Sequence, residues 1–188
     1  MATANITREE AVLRSGVVKA GAYRVTVDVT GNGVADPERT FASHTELDFA
    51  SKGGSTHLDV IADEIRSATL DGVPLPIDGF DGYRLPLKDL PEGNHTIVVD
   101  AVCRYSHTGE GLHRFVDTDG KVYLYSQFET ADARRMYATF EQPDQKATFQ
   151  LTVLAPAHWS VFTNSRSVEG QPAGEGTARF EHAPTPRK

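Results

Sequence analysis

Asn94-His-Thr-Ile-Val-Val-Asp-Ala-Val-Cys-Arg-Tyr105 has a period of two. Ile97, Val99, Ala101, Cys103 and Tyr105 fall on one side, opposite Thr96, Val98, Asp100, Val102 and Arg104. Side chains alternate between the faces of an extended chain, so this pattern predicts a strand with one side in a core. The same period recurs upstream. Tyr23, Val25, Val27 and Val29 oppose Arg24, Thr26, Asp28 and Thr30, while Phe41, Thr45, Leu47 and Phe49 oppose His44, Glu46 and Asp48.

Turn signals divide the rest. Gly31-Asn-Gly33 reads as a turn, and Lys52-Gly-Gly54 reads as the end of the second strand, with Leu58–Ile61 a separate one. Ile65–Leu70 is turned by Asp71-Gly72. Residues 73–91 are read as unsuited to central strands because Pro74, Pro76 and Pro86 cannot donate to a ladder. Val122–Ser126, Ala147–Leu154 and Trp159–Thr163 continue the strand series, and 168–178 reads as a flexible loop. Two short helices are expected. One lies near 8–14, started by the capping-box spacing Thr7-Arg-Glu-Glu10, and one near 130–137, with Thr130 as its cap. Short strands separated by turns predict a mainly β fold, an antiparallel β-sandwich formed as one domain over 1–188.

A length of 188 residues is enough for a sizeable core, and 39% hydrophobic with 24% charged residues is ordinary for a globular protein. The net charge of −7 argues against nucleic acid and anionic membrane as partners. Cys103 is the only cysteine, which rules out an intrachain disulfide and fits a reducing compartment. The N-terminal residues lack the pattern of a signal peptide, and no apolar run approaches the roughly 20 residues of a membrane span, so the expected location is cytoplasmic.

Gln127 and Glu129 stand two residues apart, on one face if the strand extends that far. An amide and a carboxylate fixed between a strand and a helix suit a small cation such as a peptide α-amino group, which is mostly protonated at neutral pH. The alternative is a solvated acid beside a polar strand end. Cys103, His107 and His113 raise the question of zinc, but the alternation around Cys103 favours a small buried residue. Nothing near Cys103 in the sequence would activate it as a nucleophile. His113 and Arg114 are read as part of a glycine-flanked loop.

Ser126-Gln-Phe-Glu-Thr-Ala-Asp-Ala-Arg-Arg-Met-Tyr-Ala-Thr-Phe-Glu-Gln-Pro-Asp-Gln-Lys-Ala-Thr-Phe149 resembles the signature of the zinc aminopeptidase N family. That signature runs Thr/Ser-Gln-x-Glu, x-x-Ala-Arg, an aromatic stretch with Asp-x-Pro, and Lys-Ala-x-Phe. Glu141, Gln142 and Ala138-Thr139 depart from it, all beyond the Gln-x-Glu pair. Tyr23–Val29, Tyr105–Asp117 and His158–Ser165 are similar to flanking segments of actinobacterial members, so the likeness covers nearly the whole chain.

The resemblance implies a saddle-shaped N-terminal β domain packed against a thermolysin-like catalytic domain. It gives Glu129 the substrate's free amino group, places Gln127 in the same pocket, and makes this segment part of the S1 wall. It implies Zn2+ in the full-length enzyme, held by His-Glu-x-x-His in the catalytic domain. None of the seven histidines here has that spacing, and the family's second amine motif, Gly-x-Met-Glu-Asn, is absent from the sequence too. The chain therefore reads as an inactive N-terminal portion with no catalytic residue or metal ligand of its own. Its sheet is expected to be one strand short and open at an edge. The alternative is an independent β-sandwich binding module.

Overall fold

Two long antiparallel strands carry the architecture of the computed structural model, which describes residues 5–188. They are β2 (Thr40–Asp59) and β5 (Arg84–Arg104), in register from Thr40↔Arg104 to Asp59↔Arg84. The other strands are β1 (Val18–Asp28), β3 (Glu64–Leu70), β4 (Val73–Pro74), β6 (Gly111–Val116), β7 (Val122–Gln127), β8 (Thr148–Pro156), β9 (Gln171–Gly174) and β10 (Thr177–Glu181). Eight form one sheet in the order β4-β3-β5-β2-β1-β8-β10-β9, and β6 with β7 forms a second, small sheet. The fold is mainly β, with no closed barrel, as a β-sandwich requires. One pairing departs from the antiparallel pattern, since β1 and β8 run parallel.

The expected alternation around 94–105 is present. Ile97, Val99, Ala101 and Cys103 are buried together with Tyr23, Val25, Val27, Phe41, Leu47 and Phe49 in one apolar cluster. The opposite face is polar. Arg24 pairs with Asp48 at 2.8 Å and with Glu46, Thr96 donates to Asp48 at 2.8 Å, and His44 meets Asp100 at 2.7 Å. The segment 128–147 covers the apolar face, contributing buried Met136, Tyr137, Ala138, Phe140 and Ala147.

Several sequence expectations need correction. Lys52-Gly-Gly54 does not end a strand; Gly53 and Gly54 take positive φ of 86° and 121°, and a bulge between Gly54 and Thr56 lets β2 run on. The expectation that residues 73–91 do not form a central strand agrees with the structure: 84–90 is strand, but this stretch of β5 pairs with β2 on one side only, while β3 pairs with 97–102 further along. Proline is tolerated on such an edge. Trp159–Thr163 is irregular, with Trp159 packed on Ala155, Ala178 and Phe180. The loop expected at 168–178 contains β9 and the start of β10. Residues 182–188 follow β8, with Thr185 N–H donating to Phe149 O at 2.8 Å and Lys188 N–H to Ala147 O at 2.9 Å. The sheet ends in the edge strands β4 and β9.

The helix near the N-terminus, α1 (Arg8–Val17), has its capping box complete. Thr7 accepts from Glu10 N–H at 3.2 Å, and Glu10 accepts from Thr7 N–H at 2.8 Å. The helix expected over 130–137 is instead a single 3-10 turn, Ala133–Arg135. Thr130 does not cap it, and the flanking Asp132 is held by Arg135 Nε at 2.6 Å. Burial of Met136–Phe140, with Thr139 and Asp59 exchanging backbone hydrogen bonds of 2.8 and 2.9 Å, draws the chain out of helical geometry. Tertiary packing overrides a modest helical preference.

Candidate functional site

The β6–β7 hairpin, in register from Val116↔Val122 to Gly111↔Gln127, ends where the candidate residues begin. β7 stops at Gln127, so Glu129 belongs to the following turn rather than to the strand. The two are joined differently from the shared strand face that spacing alone suggests. Gln127 Oε1 accepts a hydrogen bond from Glu129 N–H at 2.8 Å. Both residues are exposed, and the residue between them, Phe128, packs inward against Tyr137 with ring centroids 5.9 Å apart. The Glu129–Thr130 peptide is cis. Among the described residues, nothing hydrogen-bonds or ion-pairs with the Glu129 carboxylate.

Beneath this exposed tip lies a foundation of buried aromatic and charged groups. Tyr137 meets Tyr23 and Phe149 edge-on at 6.1 Å each, and Tyr23 stacks on Phe149 at 4.7 Å. The Tyr23 hydroxyl accepts from Phe140 N–H at 3.1 Å and lies 3.2 Å from the Thr139 hydroxyl; burial pushes its pKa up to about 12. Arg14 on α1 pairs with Asp59 on β2 at 2.8 Å, each side chain only 1% exposed, and His57 touches both. Burial alone would raise the Asp59 pKa, but His57 and Arg14 outweigh it and hold it below the usual range. Asp59 also accepts from Glu141 N–H at 3.0 Å. Glu141 in turn accepts from Arg134 N–H at 2.7 Å, and Arg134 O accepts from Ile61 N–H at 2.7 Å. Burial lifts the Glu141 pKa to about 7, against the opposing effect of the Arg134 N–H bond. Gln142 ties the same stretch to α1 through Ala11 O at 3.0 Å and Ser15 Oγ at 2.7 Å.

Comparison with known sequences places the chain in a family. The model of the peptidase M1 N-terminal domain matches residues 84–188, more than half of the chain. The chain belongs to that family. The M1 N-terminal domain described here is 43% identical to aminopeptidase N of Streptomyces lividans over 187 residues, 97% of this chain and 21% of that protein. It is 35% identical to aminopeptidase N of Acetobacter pasteurianus over 134 residues, 65% of this chain and 37% of that protein. A plant relative, aminopeptidase M1-A of Oryza sativa subsp. japonica, is 27% identical across 82% of this chain and 17% of its own length. The M1 N-terminal domain thus spans between 17% and 37% of the length of these relatives.

The remaining candidates in the M1 N-terminal domain resolve by geometry. Cys103 is fully buried and its thiol pKa is pushed up to about 12 by burial, the opposite of what a nucleophile requires. Among the described residues no group of three or more His, Cys, Asp and Glu side chains is placed to hold a metal ion. The residues present therefore do not fit zinc. His113 and Arg114 lie in β6, not in a loop; the glycines on either side of the stretch misled the reading. A cleft of about 390 Å³ lined by Lys19, Phe49, Asp71, His95 and Arg187 includes neither Gln127 nor Glu129. Among the described residues, no helix is long and apolar enough to cross a membrane. Sequence reasoning missed the Arg14–His57–Asp59–Glu141–Arg134 network, whose members are too scattered along the chain for spacing to reveal them.

Proposed function

We propose that this chain is the single N-terminal β domain of a cytoplasmic, zinc-dependent aminopeptidase, and that it supplies the segment binding the substrate's free amino group. The observation that carries the reading is the Glu129 carboxylate, unpaired among the described residues, with the Glu129 N–H held by Gln127 at the end of the hairpin. A protonated α-amine, with a pKa of about 8, is the complementary partner on a peptide substrate. Gln127 has a positioning role here, since its carbonyl oxygen is already engaged and its amide N–H groups remain available to a ligand. An endopeptide segment has no such amine, so an acid at this point selects chain ends.

Zinc, on this reading, is held by the catalytic domain of the full-length enzyme and supplies the hydrolytic chemistry. This portion alone has no activity. Its other partner is that catalytic domain, and the hairpin with its exposed Phe115, Val116 and Tyr123 is the surface suited to meet it. Nucleic acid and membrane are not partners of so acidic a chain.

The test is Glu129→Ala in the full-length enzyme. A charge-assisted contact is worth roughly 1.5–3 kcal/mol. We expect kcat/KM for aminoacyl substrates to fall by about a hundredfold, with an unchanged melting temperature. Unaltered kcat/KM would refute the assignment.

A further inference from the structure

The chain holds four asparagines, Asn5, Asn32, Asn94 and Asn164, in different surroundings. Asparagine is a labile residue because the backbone nitrogen of the next residue can attack its side-chain amide carbon. The attacking nitrogen must be unhindered, without a hydrogen bond, and able to turn toward the side chain. Three of the four positions fail on at least one of these counts. Asn5 precedes the β-branched Ile6, and its Oδ1 accepts from Arg134 Nη2 at 2.6 Å. Asn94 lies inside β5, paired with Ala50 and held extended by the ladder, with the bulky His95 after it. Asn164 precedes Ser165, whose N–H donates to Thr163 Oγ1 at 3.1 Å.

Asn32 meets all three. It stands with Gly33 in the exposed connection between β1 and β2. Among the described residues, neither the Asn32 side chain nor the Gly33 N–H has a hydrogen-bond partner. The backbone on the Asn32 side is anchored. Asn32 N–H donates to Thr30 Oγ1 at 3.2 Å, and Asp28 holds Thr30 through its N–H at 2.9 Å and its hydroxyl at 2.6 Å. Gly33 brings no side chain to block the approach, and its φ is 71°. A Cβ placed on it would meet nothing closer than Arg66 Nη1 at 3.8 Å.

Arg66, on β3, supplies the remaining element. Its Nη2 donates to Gly33 O, while its Nε faces Glu64 at 3.6 Å, so the Nη end of the guanidinium is the one turned to the loop. A cation a few ångströms from an ionising group favours the anion. Here the group is the Gly33 nitrogen, which must lose its proton before it can attack.

We propose that Asn32 is a self-modification site, at which the Gly33 nitrogen displaces ammonia from the Asn32 side chain with Arg66 stabilising the nitrogen anion. The Gly33 N–H proton passes to solvent base, and the nitrogen lone pair forms a bond to Asn32 Cγ. The Cγ–Nδ2 bond breaks, and Nδ2 leaves as ammonia with a proton from solvent, closing a five-membered succinimide. Water then opens the ring at either carbonyl carbon. Opening at Cγ leaves aspartate, and opening at the main-chain carbonyl leaves isoaspartate with one extra carbon in the backbone. One water is consumed and one ammonia released, and the connection between β1 and β2 gains a negative charge.

The experiment incubates the full-length enzyme in mildly alkaline buffer and follows each asparagine by peptide mapping with mass spectrometry. Wild type is compared with Arg66→Gln and Arg66→Lys. Asn32 is expected to convert ahead of Asn94 and Asn164 and to give both aspartate and isoaspartate, since only the ring route yields the second. One pK unit is a factor of ten, so Arg66→Gln should slow the conversion about tenfold, and Arg66→Lys should keep most of the rate. An Asn32 that is still an amide when Asn94 or Asn164 has converted would overturn the proposal, as would aspartate without isoaspartate. An equal or faster reaction in Arg66→Gln would also overturn it, because the arginine would then be idle or would restrain the loop.

Discussion

The two halves of the stretch from Gln127 to Glu141 differ in how their polar groups are spent. At Gln127 and Glu129 the side chains are exposed, and among the described residues their one side-chain hydrogen bond is that between Gln127 and the Glu129 N–H. From Arg134 to Glu141 the chain is largely buried, and its backbone and side-chain groups bond to β2, to Ile61, to Tyr23 and to one another. One half is built to be satisfied within the fold, the other to be satisfied by something outside it. Mutations in the first should register as stability, and mutations in the second as activity.

The largest effect is expected in the buried half. Asp59→Ala leaves Arg14, itself 1% exposed, without its carboxylate. Breaking such a pair costs about 3–5 kcal/mol, and denaturant unfolding of the 188-residue chain measures it. A loss below about 1 kcal/mol would mean that water reaches Arg14.

Glu141 gives the next largest effect, with a defined pH window. Its folded pKa, about 7, lies above the ordinary value of 4.5. The folded state therefore binds the proton more tightly than the unfolded one. The resulting stability is fully present below pH 4.5 and is lost as pH rises through 7. Glu141→Gln keeps an acceptor for Arg134 N–H but cannot ionise. It should remove on the order of 2–3 kcal/mol from the stability difference between acidic and mildly alkaline solution. Parallel stability–pH curves for the two proteins would contradict the burial argument. In the exposed half, Glu129→Ala should change stability by less than about 0.5 kcal/mol.

The difference also explains what was legible in the sequence. Periodicity reports burial of one strand face, so the strands carrying Tyr23, Leu47 and Ile97 could be read directly. The capping box of α1 is local and formed as read. The extended course of 136–140 could not be read, because it depends on Thr139 reaching Asp59 and on Tyr23 meeting Phe140, contacts across 80 or more residues of sequence. Pro86 kept its stretch out of a central position, as its missing N–H implies, but which side stays unpaired is settled by where β3 ends. Gln127 and Glu129 stood out through a motif, whereas Arg14, Asp59 and Glu141 carry no mark that distinguishes them from surface charges.

The central claim is that the Glu129 carboxylate recognises a free amine. The direct measurement is a double-mutant cycle in the full-length enzyme, pairing wild type and Glu129→Gln with two competitive inhibitors that differ only in carrying or lacking the α-amino group. The account predicts that the amine improves inhibition of the wild type at least tenfold more than it improves inhibition of the variant. Equal improvement in both proteins would contradict it.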